Sequence, residues 1–250
     1  MELTAPLAIG LFAAGVAGGI VSVLVSLASL VTYPALLALG LPPVSANVTN
    51  TVALTFTSVG ASLGARGELE GQRPTLARLA VVAAAGGATG AALLLVLPAK
   101  WFELVVPVLV AGASILILIQ PSLQRRRFQP NGISATTATA YFATAIYIGY
   151  FGAAGGILSL VALSSIIDRP LTHVNAAKAV LSGIANGVAA IGFALFAPVR
   201  WALVVPLAMG LFLGGLIGPW LARRLDPQAF RLLIVVCGLG VAAMLAVRTY

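Results

Sequence analysis

The stretch PLTHVNAAKAVLSGIANGVAAIGFALF, residues 170–196, decides how this chain is read. It is apolar over a length that can cross a bilayer as a helix, which takes about 20 residues. A lysine stands inside it. Lys178 lies eight residues beyond Pro170, roughly 12 Å deep at about 1.5 Å of rise per residue. A charge at that depth is costly unless it faces a polar cavity or a partner. Asn175, Lys178, Ser182 and Asn186 follow one another at spacings of three, four and four, which sets all four on one helix face. That face predicts a binding site for a small anion. The competing reading is a lysine that snorkels to the interface or pairs structurally.

The rest of the chain is equally apolar. Hydrophobic residues make up 60% of the 250 residues and charged ones 8%, and the mean hydropathy is +1.09. These values lie far from those of soluble domains and predict an all-α polytopic membrane protein. No strand-like alternation argues for a β-barrel. The N-terminus, MELTAPLAIG, has no basic leader, and its apolar run reads as a first membrane segment, not as a removable signal peptide. The net charge of +8 comes from arginines at segment ends, where topology accounts for them, so nucleic acid is not an expected partner. Cys237 is the single cysteine and His173 the single histidine. With all six carboxylates at or near segment ends, nothing can assemble a metal site, a catalytic dyad or a triad. An enzyme is not expected, nor a cofactor.

In order, residues 3–41 form an apolar stretch too long for one helix, interrupted by Gly15, Gly18 and Gly19 and then by Ser22, Ser26 and Ser29. A broken helix or re-entrant hairpin is expected there. A more polar span covers 44–65, followed by the charged loop RGELEGQR and by spans at 76–97 and 102–119. The loop PSLQRRRFQPNG reads as a linker. The order then repeats: an over-long stretch at 133–167 broken at GAAGG (152–156), the lysine-bearing span, and spans at 201–221 and 230–247. This predicts a first repeat over 1–120, a basic cytoplasmic linker over 121–133 and a second repeat over 134–250, each repeat a glycine-broken helix followed by three transmembrane helices.

The duplication can be read residue by residue. GVAGGI at 15–20 matches GAAGGI at 152–157, an offset of 137 that sets Ser22 on Ser159. Further on the offset becomes 128: Pro42 falls on Pro170, Asn47 on Asn175, and Gly86, Gly87 and Gly90 on Gly214, Gly215 and Gly218. Arginine placement favours inverted repeats. With no net crossing at the glycine breaks, ten basic residues lie on the cytoplasmic side and three (Lys100, Arg200, Arg248) outside, against eight and five for parallel repeats.

The duplicated polar span thus occurs twice, as Asn47, Thr49, Asn50 and Ser58 and as Asn175, Lys178, Ser182 and Asn186. Asn50 takes the position of Lys178. Lys178 is expected to supply positive charge and Asn47, Asn50 and Asn175 to donate hydrogen bonds to an anion's oxygens, with Thr49, Ser182, Asn186, Ser22 and Ser159 around them. Gly18, Gly19, Gly155 and Gly156 are expected to expose backbone N–H groups at the breaks. His173 reads as an interfacial or structural residue.

The glycine run near the start of each half, A-N-x-T-N at 46–50, N-A-x-K at 175–178 and the two-fold repeat resemble the sulfite exporter TauE/SafE family over nearly the whole chain. The GVAGG and GAAGG runs are leaner in glycine than the family's richer versions. The resemblance implies a multi-pass permease of a prokaryotic inner (plasma) membrane, moving sulfite, an organosulfonate or a related small inorganic or organosulfur anion. Efflux driven by the membrane potential is the simplest energetics. An anion channel and a non-transporting membrane scaffold are the rival classes, the lipid bilayer is a partner in each, and a homodimer is left open.

Overall fold

The computed structural model describes residues 4–125, 132–152 and 155–222, together with 224, 235, 239–240 and 242–243. Among them the chain is helical and no strand occurs. The helices are α1 (Ala5–Val25), α2 (Ser29–Ala38), α3 (Pro43–Gly64), α4 (Arg73–Val96), α5 (Ala99–Arg125), α6 (Ala135–Tyr150), α7 (Gly155–Ser164), α8 (Leu171–Phe196) and α9 (Trp201–Ala222). A single 3-10 turn, Gly67–Leu69, joins α3 to α4.

Local chemistry sets these boundaries. Proline occupies one of the first two positions of α1, α3 and α4, where its missing N–H is not needed and its fixed φ suits a helix start. Ser134 and Thr137 form a reciprocal capping box at the start of α6. Helices α4 and α8 stop two residues before Pro98 and Pro198, since a residue preceding proline avoids the helical region.

Among the described residues five helices are long and apolar enough to cross a membrane: α1, α4, the 99–116 part of α5, α8 and α9. The chain is a multi-pass membrane protein. Helix α3 has the length but not the hydropathy, because its polar residues face other helices: Ser45, Asn47, Thr49, Asn50, Thr51 and Thr57 are all buried. Lipid-facing side chains such as Val81, Val96, Val108, Ile191, Leu195, Val205 and Met209 are exposed instead. Trp101 and Trp201 mark one end of the bundle, and Trp220, with the Arg224 guanidinium 4.2 Å above its ring, marks the other. Such aromatic belts sit at the membrane–water boundary.

Glycine sets the helix pairing. Gly15 and Gly19 of α1 lie against the Gly210–Gly215 segment of α9, and Gly86 and Gly90 of α4 lie against Ala145, Gly149 and their neighbours on α6. Gly60 of α3 faces α9 and Gly87 of α4 faces Ala185 of α8. In each pair backbone meets backbone, and a Cβ would collide. Lipid supplies no hydrophobic drive for helices to associate, so close approach provides the contact energy. The order of contacts makes α1, α3 and α9 mutually parallel, and likewise α4, α6 and α8. Helix α3 runs antiparallel to α8, with Ser58 at Gly183, Thr55 near Gly187 and Ser45 bonded to the Pro198 carbonyl.

One expectation needs correction. The first over-long stretch is broken, but not at its glycines. Helix α1 runs unbroken through Gly15, Gly18 and Gly19, which serve close packing. The break comes at Ser26, with φ at 63°, ahead of α2. In the second half the break comes at Gly152, with φ at 76°. The offset of 137 therefore aligns a mid-helix run with a helix end. Gly214 meets Val16, Gly19 and Ile20, and Gly86 meets Phe142 and Ala145, an interval of 126 between the α1 and α6 contacts. The same interval separates Ser26 from Gly152, both of them left-handed. Residues 121–125 of the expected linker continue α5 as helix. Residues 126–131, Cys237 and most of the 230–247 span lie outside the described residues.

Candidate functional site

The two breaks meet in the interior. A Cβ on Gly156, in the first turn of α7, would stand 2.7 Å from the Ser26 carbonyl oxygen. Helices α2 and α7 both start at this point, so the positive ends of two helix dipoles approach it. Beside them lies a cavity of about 220 Å³, room for a small polyatomic ion and some water. It is bounded by the Ser22–Ser29 segment, by Gly152 and Gly156, and by one face of α8 carrying Asn175, Lys178, Ser182 and Asn186. The face expected from spacing alone does line one cavity. Glu68 and the exposed Thr172 also line it, so it reaches the surface at the end of the bundle that carries Arg66, Arg73, Arg78 and Arg169.

Lys178 is 5% exposed. Its Nζ donates to Ser26 Oγ at 2.7 Å and to the Ser22 carbonyl at 3.4 Å. Both acceptors are neutral oxygens, which do not offset a buried charge as a carboxylate would. Further groups in the cavity wall have buried polar atoms without a hydrogen-bond partner: Ser182 Oγ, Asn186 Oδ1 and Thr57 Oγ1. Buried polar atoms are nearly always paired in proteins, so a cluster of unpaired ones around a cation suits a guest with several acceptor oxygens. Hydroxyls can turn to donate, and an amide can present its NH2 by flipping.

The other expected residues are employed elsewhere. Asn47 donates from Nδ2 to the Tyr150 carbonyl at the end of α6, at 3.0 Å. Asn175 does the same to the Val23 carbonyl near the end of α1, at 3.4 Å. Each of these two asparagines thus ties down the last turn of the other half's broken helix. Thr49 Oγ1 accepts the Arg200 backbone N–H. Asn50 accepts from Thr32 Oγ1 at 2.6 Å and donates to Ser29 Oγ at 3.3 Å. Asn47, Thr49 and Asn50 do not line the cavity. Gly18 packs on Thr32 and Gly19 on α9; Gly155 packs on Ile148. Ser159 is fully buried beside Tyr141 and away from the cavity wall. His173 is half-buried at the start of α8, its carbonyl accepting from Gln72 Nε2.

Toward the Lys100 and Arg200 end of the bundle the interior is packed with aromatic rings. Tyr33, Phe102, Tyr150 and Phe151 form a cluster of edge-on rings with centroids 5.6–5.8 Å apart, flanked by the Asn47–Tyr150, Ser45–Pro198 and Thr49–Arg200 hydrogen bonds.

Sequence reasoning missed Ser26 as a contact of Lys178. It is the one non-glycine residue with positive φ among the described residues, a conformation that costs an L-residue roughly 1–2 kcal/mol. The sequence marks it only as one of three serines interrupting the stretch, since serine is seldom the residue that ends a helix in this way.

Comparison with known proteins agrees with this architecture. The chain is 25% identical over 244 residues to "Probable membrane transporter protein ORF9" of Sinorhizobium sp, covering 94% of this chain and 90% of that protein. It is 26% identical over 254 residues to "Probable membrane transporter protein YfcA" of Escherichia coli K12, covering 97% and 91%. No solved structure matches. The family description "Sulfite exporter TauE/SafE" matches residues 11–245, and the chain belongs to that family of membrane transporters.

Proposed function

We propose that this protein is a carrier that exports a small sulfur-containing oxyanion, such as sulfite or a short sulfonate, across a prokaryotic plasma membrane. The observation that carries the reading is the Lys178 ammonium in a cavity among unpaired polar groups, held only by two neutral oxygens. The family description supplies the sulfur chemistry; the donor-rich wall agrees with it, because sulfur oxyanions present acceptors alone.

We read the fold as two inverted repeats. Antiparallel α3 and α8 support this, as does the pairing of α1 with α9 mirrored by that of α6 with α4. So do the left-handed residues that close α1 and α6. In this reading neither α1–α2 nor α6–α7 makes a net crossing. The end carrying Arg66, Arg73, Arg78, Arg125, Arg169 and Arg224 is then cytoplasmic, and the end with Lys100 and Arg200 external. The cavity faces the cytoplasm and the ring cluster closes the outer side. A site reached from one side at a time fits a carrier better than a channel. An interior potential of about −100 mV favours export of one negative charge by roughly 2.3 kcal/mol.

The test is a thermal-shift panel of the purified protein with sulfite, sulfate, thiosulfate and methanesulfonate, followed by flux in proteoliposomes. Saturable flux of the anion that stabilises the protein supports the carrier. Unsaturable conductance supports a channel, and an absence of both shift and flux supports a scaffold.

A further inference from the structure

Ser26 and Gly152 both end a broken helix in the left-handed region, yet one is serine and the other glycine. Glycine is the residue suited to that backbone, since it carries no Cβ penalty. A serine kept there needs a reason, and its surroundings supply one. Its Oγ lies 2.7 Å from Lys178 Nζ. An ammonium can only donate, so Oγ is the acceptor in this bond, and the serine O–H remains available to donate elsewhere. A hydroxyl that accepts from a cation is polarised and becomes a better donor. Ser26 also lines the cavity.

We propose that Ser26 is a binding and positioning residue of the anion site, resting on the anion-site reading above: its strained backbone holds a hydroxyl that fixes the Lys178 ammonium and donates its own hydrogen to the bound anion. The pair acts as a two-pronged donor. It favours a ligand with at least two acceptor oxygens, one for the ammonium and one for the hydroxyl. A serine that merely ends a helix would do so no better than glycine, and this separates the two roles.

The experiment compares wild type, Ser26→Gly, Ser26→Ala and Lys178→Ala. For each, the melting temperature without ligand and the affinity for an anion are measured. The anion is whichever of sulfite, sulfate, thiosulfate and methanesulfonate stabilises the wild type most. Ser26→Gly should melt at or above the wild-type temperature, because the strain is relieved, while its affinity falls about tenfold with the lost charge-assisted bond. Ser26→Ala should bind as weakly and melt below Ser26→Gly, because it keeps the Cβ without the hydroxyl. A Ser26→Gly protein that binds within twofold of wild type overturns the proposal. So does one that does not fold, since the hydroxyl would then be holding the structure. Retained binding in Ser26→Gly with lost binding in Lys178→Ala removes Ser26 but leaves the anion site standing. A wild type that no anion stabilises removes both.

Discussion

Helices α3 and α8 carry one polar pattern at a distance of 128 residues, and the structure uses it in two different ways. On α3 the first three of these groups are joined to protein: Asn50 to Ser29 and Thr32, Thr49 to the Arg200 backbone, Asn47 to the end of α6; the fourth, Ser58, lines the cavity beside Thr57. On α8 they face a cavity, and Ser182 Oγ and Asn186 Oδ1 have no partner. Two of the glycines differ likewise. Gly60 of α3 is pressed against the α9 backbone, whereas a Cβ on Gly187 of α8 would meet only a methyl group of Thr55 at 3.8 Å. The first half of α3 is fixed into the scaffold, whereas α8 keeps unmet chemistry along the cavity. In the inverted-repeat reading, one polar pattern supplies both frame and site, with Lys178 standing where α3 has Asn50.

The largest effect should come from the packing side of this contrast. Gly60→Leu would force α3 away from α9, and monodisperse folded protein should be lost on size-exclusion chromatography in detergent. Gly187→Ala should elute and melt close to wild type. Equal behaviour of the two would remove the distinction between fixed and free helix.

Next comes a crossed comparison of polar residues. Asn50→Ala removes two buried hydrogen bonds and leaves Ser29 Oγ without its partner, while Thr32 Oγ1 keeps the Ala28 carbonyl, at a cost of about 1–3 kcal/mol. The protein should melt several degrees lower without ligand and keep its anion-induced shift. Ser182→Ala removes an unpaired hydroxyl, so its melting temperature should hold while anion affinity drops by about three- to tenfold. The contrast fails if Asn50→Ala is the variant that loses affinity.

The smallest effect concerns the two asparagine ties. Asn47→Ala and Asn175→Ala each remove one hydrogen bond to a helix end, at about 0.5–1.5 kcal/mol. Hydrogen exchange should rise in the last turn of α6 for the first and of α1 for the second. Exchange that rises instead in the mutated helix itself would contradict the tie.

These contrasts were only partly legible in the sequence. Spans α3, α4, α8 and α9 could be placed to within a few residues, because hydropathy and flanking prolines are local properties. Lys178 and its face were equally readable, because helical spacing alone puts Asn175, Ser182 and Asn186 beside it. The break at 152–156 was readable too, but the position of the first break was not. Glycine marks both helix ends and close helix contacts, and Gly15 and Gly19 turned out to be the second kind. Ser26 owes its conformation to tertiary contacts with Lys178 and α7, which no local pattern records. Nor could spacing tell that Asn47 reaches for the Tyr150 carbonyl while Ser182 faces open space. The pattern on α3 matches that on α8; what differs is the neighbour.

The central claim is that Lys178 is the counter-charge of a bound anion and not a structural lysine. It is tested most directly by measuring the melting temperature of Lys178→Ala with and without the anion that stabilises the wild type. The predicted result is a folded protein, melting at or above the wild-type temperature because an uncompensated buried charge is gone, with no anion-induced shift. A Lys178→Ala protein that melts lower yet keeps the full anion-induced shift would contradict the account.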